Sequence, residues 1–406
     1  MSNWFVELVT YQSPITNYQL PITMRIAIVV PRYGEEIGAG AESQARDFAQ
    51  AAARLGWTVE VWTTCVRNHY SWKNELPEGR MHSNGVTIIR FPITTWDKPE
   101  HGRVEGLLAT RGKLSLADQY TWLRSSPHSQ PLYAHIAKHA ADFDACVMLP
   151  YTTPLIHYAA WAAPEKTILW PCLHHESYAY LEPVRLLMES VAGVMFYTPE
   201  EQTLAVQLLG MQPRRETVLG GGILFTPAAT QASAYQDLLY VGRLEGGKNV
   251  PLLYKYVQRY AAEGKEIRLV VIGNGPLRPP KQPAFDYRGF ADEATKASSY
   301  ATALALCQPS RNESFSRVIL ESWLSGRPVL VSDNCAVTRG HVQRSKGGLA
   351  FRTYEEFAAA VDWLKANPAL AARMGRNGQI YTQRNYTWPT VVERFATTMT
   401  AWKERA

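Results

Sequence analysis

The feature that most constrains this chain is an alternation of short, continuously apolar runs with segments of helical periodicity. The apolar runs fall in two groups, at 25–31, 58–64, 86–92, 145–150, 167–172 and 193–198, and then at 237–242, 267–273, 285–290, 303–310 and 328–332. Candidate amphipathic helices lie between them, at 42–55, 132–141, 199–209, 249–263, 292–300, 317–325 and 354–366. Runs that are apolar on both faces are typical of parallel strands covered by helices. The pattern therefore predicts an α/β fold with two parallel sheets.

The two groups of runs predict two doubly wound, Rossmann-like domains that face each other across a cleft. The length of 406 residues suits two domains of ordinary size. We place the N-terminal domain at 24–222 and the second domain from 223, with a hinge in the stretch 219–235, which is rich in Gly and Ala. Residues 1–23 lack a basic start and a continuous apolar core, so they predict a loosely packed extension rather than a secretory signal.

Composition excludes several classes of function. No run of about 18 apolar residues occurs, so the sequence predicts no membrane-spanning helix. The net charge of +6 is mild and comes without a block of Lys and Arg, which argues against a nucleic-acid partner. It is compatible with anionic small molecules and with peripheral contact at a negatively charged membrane surface. The 5 cysteines are scattered, which favours free thiols in a reducing, cytoplasmic setting.

Ligands of doubly wound sheets bind where loops follow the carboxyl ends of strands, so those loops carry the candidate site. Arg243 and Lys248 lie five positions apart on a glycine-containing loop between a strand and a helix. Arg binds phosphate oxygens in pairs and Lys acts as a point charge, so the two suit a diphosphate. The other glycine-rich turns that could expose backbone to such a ligand are Gly38 and Gly40 after the first strand, and Gly273, Asn274 and Gly275 after a later one. A plain tight turn is the alternative reading of Gly38 and Gly40.

The stretch SRNESFSRVILE at 310–321 predicts a strand end, a loop and the first turns of a helix. Ser314 or Ser316 is expected to cap that helix, whose free N–H groups and dipole favour an anion. Glu321 could accept hydrogen bonds from a ribose diol, and Glu313 from the hydroxyls of a sugar. A capping box with a solvated glutamate is the alternative.

Taken together, the motifs GRLEGGK, VIGNGP and ESFSRVILE resemble those of retaining GT-B glycosyltransferases of family four, which carry an E-x7-E motif in the same position. The segment ILWPCLHHESYAYL is similar to the stretch where that family carries a histidine near the reacting sugar. The last residues, 386–406, are similar to the tail helix that crosses back to the first domain, which leaves 223–385 as the second domain proper.

The resemblance implies transfer of a sugar from a nucleotide-diphosphate donor to a glycan, glycolipid or other hydroxyl acceptor, with the anomeric configuration retained. It implies same-face attack, no metal ion and no other cofactor. The site residues that it implies are Arg243 and Lys248 for the diphosphate, Glu313 for the sugar, Glu321 for the ribose, backbone groups of Ser314, Phe315 and Ser316, and His175 on the acceptor side. His174 remains open as the acceptor-side histidine. The chain departs from the family in having E-S-F-S for the usual E-G-F-G, and Arg317 where an aliphatic residue is usual.

Other readings carry less support. A binding module that senses nucleotide sugars, or a sugar-nucleotide epimerase of the same fold, would keep these motifs, whereas a nicotinamide oxidoreductase would need a GxGxxG turn that is missing. The D-x-D at Asp142 and Asp144 precedes a strand rather than following one, so we expect a solvated helix end there. His135 and His139 have metal-ligand spacing, but HIAKH lacks the glutamate of HExxH.

Overall fold

The structure is a computed structural model, and it describes residues 22–37, 40–229 and 237–404. The predicted α/β class is confirmed: the described residues form two mainly parallel sheets, each covered by helices. The predicted extension 1–23 lies outside the described residues except for its last two positions, and residues 230–235 of the predicted hinge also lie outside them.

The N-terminal sheet has the strand order β3-β4-β2-β1-β5-β6-β7-β8 among the described residues. Its strands are β1 (Arg25–Val29), β2 (Thr58–Thr64), β3 (Gly79–Ser83), β4 (Val86–Phe91), β5 (Ala145–Met148), β6 (Thr167–Leu169), β7 (Gly193–Phe196) and β8 (Glu216–Val218). β3 runs antiparallel to β4, and the other neighbours are parallel. The central strand β1 is buried over four of its five residues, as a strand covered on both faces must be.

The helices of this half are α1 (Gly40–Arg54), α2 (Lys98–Arg111), α3 (Leu116–Ser125), α4 (Gln130–His139), α5 (Pro154–Ala162), α6 (Glu182–Ser190) and α7 (Pro199–Thr203). The predicted segment 199–209 is α7 followed by a π-helical turn. The weakly patterned stretch 93–131 contains α2 and α3. The low amphipathicity of α2, which buries only Val104 and Leu108, explains why periodicity did not reveal it.

The second sheet is parallel throughout, with the order β11-β10-β9-β12-β13-β14 among residues 237–404. Its strands are β9 (Leu238–Val241), β10 (Leu269–Ile272), β11 (Phe285–Gly289), β12 (Ala305–Gln308), β13 (Val329–Ser332) and β14 (Gly348–Phe351). Its helices are α8 (Val250–Ala262), α9 (Glu293–Thr302), α10 (Arg317–Leu324), α11 (Ala336–Ser345), α12 (Tyr354–Ala366) and α13 (Pro368–Asn385). The order reverses direction at β9 and β12, and that is where an open α/β sheet binds its ligand.

A final helix, α14 (Trp388–Glu404), packs against α1 of the N-terminal half. The rings of Phe395 and Phe48 lie 5.5 Å apart, and Lys403 donates to Asp144 at 2.7 Å. The two halves are thus joined by a buried apolar seam as well as by the chain. Among the described residues, no helix has the length and apolar character needed to cross a bilayer.

Candidate active site

The centre of the candidate site is an ion pair between two sequence-predicted residues. Lys248 ends a single 3₁₀ turn after β9, and Glu313 lies in the loop after β12, the neighbouring strand. Lys248 Nζ lies 2.7 Å from Glu313 Oε1, and the side chains are only 19% and 8% exposed. Burial alone would raise the pKa of Glu313, but the Lys248 ammonium lowers it below its usual range. The site therefore holds a buried carboxylate in its charged form beside a cation.

The left-handed residue Asn249 joins these two loops. It adopts φ 56°, and its side-chain amide donates to the carbonyl of Pro309 at 3.2 Å. Asparagine tolerates this conformation better than most residues because its side chain hydrogen-bonds locally. The contact holds Lys248, one position earlier, close to the loop that carries Glu313.

Arg243 lies on the same loop but makes a different contact. Its guanidinium is 3.0 Å from Glu245 and its side chain is 72% exposed. Burial alone would raise the pKa of Glu176 in the N-terminal half, but its charged and polar neighbours, Arg243 among them, lower it. The exposed guanidinium of Arg243 keeps free hydrogen-bonding capacity for an anion.

The predicted glycines of the VIGNGP turn support the Arg243 loop. Gly273 and Gly275 have φ of 137° and 157°, and a Cβ at either position would lie 1.9 Å from the carbonyl oxygen of Gly242 or 2.3 Å from that of Leu244. The Leu244 N–H also donates to the carbonyl of Asn274 at 2.9 Å. These glycines are needed because the two turns lie backbone against backbone. Their contact positions the cationic loop.

The helix that follows Glu313 begins differently from the sequence expectation. Ser316 occupies the N-cap position of α10 with φ 63° and ψ 69°, but its side chain makes no capping hydrogen bond. The prediction of a serine side-chain cap was wrong: Ser316 has a left-handed backbone instead of the extended one usual at an N-cap, and its side chain does not cap the helix. Within the described residues, the buried Ser316 hydroxyl has no hydrogen-bond partner. A buried polar group of this kind is typical of a ligand-binding position.

The side chains on either side of Ser316 cross to the N-terminal half. Phe315 is buried, with its ring 5.4 Å from that of Tyr197, so only its backbone can serve a ligand. Arg317 pairs with Asp47 of α1 at 3.0 Å. The carbonyl of Ser314 accepts a hydrogen bond from Thr198 at 3.3 Å.

Glu321 lies in the second turn of α10 and is 7% exposed at its side chain. Tyr300 donates to its Oε2 at 2.9 Å, and Lys296 approaches its Oε1 at 3.5 Å. Both partners lie on α9. The carboxylate is held in one orientation and retains lone pairs for a further donor.

On the opposite wall, the structure separates the two candidate histidines. His174 Nδ1 lies 3.4 Å from Glu176 Oε1, which also accepts from the hydroxyl of Tyr151 at 2.8 Å. His175 is exposed and bonds Tyr180 at 2.5 Å instead. The structure thus places His174, the alternative, against Glu176, whereas His175, the first choice, contacts Tyr180.

The loop after β1 contributes a pair that sequence reasoning missed. Arg32 and Glu42 form a buried ion pair at 2.5 Å, and both charges act on the pKa of His69, as that of Arg243 does. Of the two predicted glycines, Gly38 lies outside the described residues. Gly40 begins α1, and a Cβ there would meet nothing within 4 Å, so no protein contact requires glycine.

The D-x-D and the histidines of HIAKH, to which the sequence assigned no catalytic role, lie away from the Lys248–Glu313 pair in sequence and make contacts of their own. Asp144 accepts from the backbone N–H of Arg25 at 2.9 Å and from Lys403, so it anchors β1 and α14 rather than forming a solvated helix end. His135 and His139 lie with ring centroids 4.5 Å apart. In the part of the chain that the structure describes, no group of three or more His, Cys, Asp or Glu side chains is arranged to hold a metal ion.

Two mainly parallel sheets, each covered by helices, form the GT-B arrangement. The Lys248–Glu313 pair lies at the switch point of the second sheet. Solved structures agree. The chain superposes on sucrose-phosphate synthase from Thermosynechococcus elongatus with a TM-score of 0.69 and 17% identity, covering 94% of this chain and 100% of that one. It superposes on HepE from Anabaena in complex with UDP and glucose with a TM-score of 0.66 and 14% identity, covering 93% and 99%.

The C-terminal half is recognised by sequence as well. Residues 228–381 match the family model described as glycosyl transferases group 1. The D-inositol 3-phosphate glycosyltransferase of Kribbella flavida is 27% identical over 256 residues, 54% of this chain and 59% of the relative. The alpha-D-kanosaminyltransferase of Streptomyces kanamyceticus is 28% identical over 170 residues, 39% and 44%. The matches thus span about half the length of these relatives.

Proposed function

We propose that this protein is a retaining glycosyltransferase of family four, which transfers a sugar from a nucleoside-diphosphate donor to a hydroxyl acceptor. The observation that carries the proposal is the buried Lys248–Glu313 pair, which joins the loops after the two strands at the switch point of the second sheet. A cation, a sugar-binding carboxylate and an acceptor-side imidazole are the groups that such a transfer needs within one site.

In the proposed reaction, Arg243 and Lys248 hold the diphosphate next to the first turn of α10, with the Ser316 hydroxyl as a further donor. The bond from the anomeric carbon to the diphosphate breaks, and the leaving group gains negative charge. Fixed cations and a helix N-terminus aimed at that charge stabilise the transition state by about 3 kcal/mol for each good donor. These groups would take the place of a metal ion.

Binding of the donor requires Lys248 to interact with Glu313 and with a phosphate at the same time. Without ligand, Nζ is 2.7 Å from Glu313, and in the complex the ammonium would lie between this carboxylate and a phosphate. Glu313 would then be free to accept hydrogen bonds from the hydroxyls of the sugar. Glu321, oriented by Tyr300 and Lys296, would accept from the ribose.

For retention we propose same-face attack, in which the departing phosphate oxygen takes the proton of the acceptor hydroxyl. His174 would contact the sugar from the acceptor side through its ring or backbone. Glu176 accepts from Tyr151 and lies beside His174, so it fixes the orientation of that ring. We therefore assign the acceptor-side role to His174 and regard His175 as a flanking residue.

The acceptor and the donor base belong to the proposal as well. Structures of HepE contain UDP or UDP-glucose, and a relative from Mycobacterium tuberculosis is named a GDP-mannose-dependent phosphatidylinositol dimannoside mannosyltransferase. We propose a nucleotide sugar as donor and a glycan or a lipid-linked acceptor. Peripheral contact at the cytoplasmic face of a membrane would bring a lipid-linked acceptor to the site.

The test uses the full chain with UDP, GDP, ADP and TDP sugars, first by thermal shift and then by release of the nucleoside diphosphate with an acceptor extract. One donor should raise the melting temperature and turn over without added metal. K248A should reduce turnover about 10²–10³-fold. H174A should reduce it far more than H175A. Donor binding without sugar loss would favour a sensor, and a changed sugar on an intact nucleotide would favour an epimerase.

A further inference from the structure

A single turn at the end of β7 touches both walls of the site, and the proposed reaction leaves it without a role. Glu201, the last acidic residue of the TPEE sequence, is 1% exposed. Its two carboxyl oxygens accept from two different backbone N–H groups, those of Leu173 and Tyr197, each at 2.5 Å. A polar group buried this deeply is costly unless its oxygens accept hydrogen bonds.

The first of these bonds holds the acceptor-side loop. Leu173 immediately precedes His174 and follows Cys172, which adopts the left-handed conformation with φ 60°. That conformation is unfavourable for a residue with a side chain and persists only where surrounding contacts enforce it. The bond from the Leu173 N–H to Glu201 is such a contact.

The same turn reaches the donor-side loop. Thr198 accepts from the Glu201 N–H at 3.1 Å and donates to the carbonyl of Ser314, next to Glu313, at 3.3 Å. The ring of Tyr197 lies 5.4 Å from that of Phe315. Residues 197–201, which we name the bridging turn, therefore contact the backbone on either side of the candidate reaction centre.

We propose that Glu201 is a positioning residue that fixes the His174 loop relative to the Glu313 loop across the cleft. The inference rests on the proposed glycosyl transfer, since it assigns a role to a residue that touches neither donor nor acceptor. A displacement of about 1 Å between reacting groups can cost about 10²-fold in rate, so a rigid link between the two loops matters for turnover more than for binding.

The substitution E201Q tests this link because glutamine nearly keeps the shape but has only one acceptor oxygen. The NH₂ group of the glutamine would face the backbone N–H of Leu173 or of Tyr197. Two donors would then meet, and one of the two hydrogen bonds would be lost. E200Q is the matched control. Glu200 is in the same turn and also crosses the interface, but its carboxylate pairs with Arg344 of α11.

We expect E201Q to lower kcat at least tenfold with the dissociation constant of the nucleoside diphosphate changed less than threefold. E200Q should leave kcat within threefold of the wild type. Hydrogen exchange of the peptide covering residues 172–176 should speed up at least fivefold in E201Q and not in E200Q. T198V, which removes the hydroxyl link to Ser314 together with the hydrogen bond from the Glu201 N–H, should lower kcat about tenfold and serves if E201Q does not fold.

If kcat and exchange in E201Q, or in T198V where E201Q does not fold, both stay within threefold of the wild type, the positioning role is refuted. An equal fall of kcat in E200Q would also refute it, because general loosening of the interface would then explain the loss. If the wild type turns over no donor, the proposed transfer fails. The exchange measurement still decides whether Glu201 orders the loop.

Discussion

Replacing Lys248 with methionine should destabilise the protein by about 3 kcal/mol at pH 7. Glu313 is 8% exposed at its side chain and its partner lies at 2.7 Å, so the variant leaves a buried carboxylate without a counter-ion. Breaking a buried pair from one side costs about 3–5 kcal/mol. Protonation limits this cost, since neutralising a carboxyl of ordinary pKa at pH 7 takes about 3 kcal/mol at about 1.4 kcal/mol for each pH unit.

The stability difference between wild type and K248M should depend on pH, because Glu313 titrates. Lys248 lowers the pKa of Glu313, so the pair contributes stability above the ordinary pKa of a glutamate and loses it as pH falls through the lowered value. The wild type keeps this contribution at pH 5, but in K248M the unpaired Glu313 is protonated at a cost that falls as pH approaches the ordinary pKa of a glutamate, so the difference between wild type and K248M should shrink to about 1 kcal/mol at pH 5. Urea unfolding at pH 5, 6 and 7 measures it, with E313Q and the double variant completing a mutant cycle.

In the cycle, the double variant should be more stable than K248M alone, because no buried charge remains. Additive losses, or a K248M effect below about 1 kcal/mol that does not change with pH, would show that the pair is solvated. The electrostatic basis of the proposed diphosphate site would then be wrong. Activity is a separate readout, and both single variants should lose most of it.

Three further predictions concern the surroundings of this pair. R317L should remove the ion pair of α10 with α1 and cost about 1–2 kcal/mol in urea unfolding, and an effect near zero would contradict a closed interface. G275A would place a Cβ 2.3 Å from the Leu244 carbonyl and should weaken nucleoside-diphosphate binding in calorimetry at least tenfold, whereas G246A, where a Cβ meets nothing, should not. Burial raises the pKa of Glu201 to about 8. The contribution of Glu201 to the free energy of unfolding is therefore full below the ordinary pKa of a glutamate and is lost as pH rises from there through 8. The unfolding free energy should fall from pH 6 to 9 in the wild type and fall less in E201Q.

Much of the fold could be predicted because buried parallel strands leave a strong apolar signal. Every predicted apolar run contains a strand of the structure, from β1 to β13. The elements that escaped are those whose signal is weak. β3 is exposed along nearly its whole length and β8 is half-buried, so neither forms a continuously apolar run.

The site could be predicted where chemistry is local in sequence and not where it depends on contacts between distant segments. Lys248 and Glu313 follow neighbouring strands, and the topology of a doubly wound sheet brings such loops together. The choice between His174 and His175 depends on the left-handed turn at Cys172, which no local pattern reveals. Glu201 could have been noticed as the last residue of a T-x-x-E sequence after a strand, but its contact with Leu173 joins positions 28 apart.

The spacing of Glu313 and Glu321 follows from how α10 begins. The helix starts at Arg317, so Glu313 lies before it in the loop and Glu321 lies inside it. The two carboxylates therefore do not share a helix face, and each has its own lysine, Lys248 after β9 and Lys296 on α9. An elongated donor can thus be held at both ends while its diphosphate lies at the helix start between them. A ligand that lacks the sugar should therefore leave the Lys248–Glu313 contact as it is in the ligand-free protein, whereas one that lacks the ribose should lose only the hydrogen bonds to Glu321.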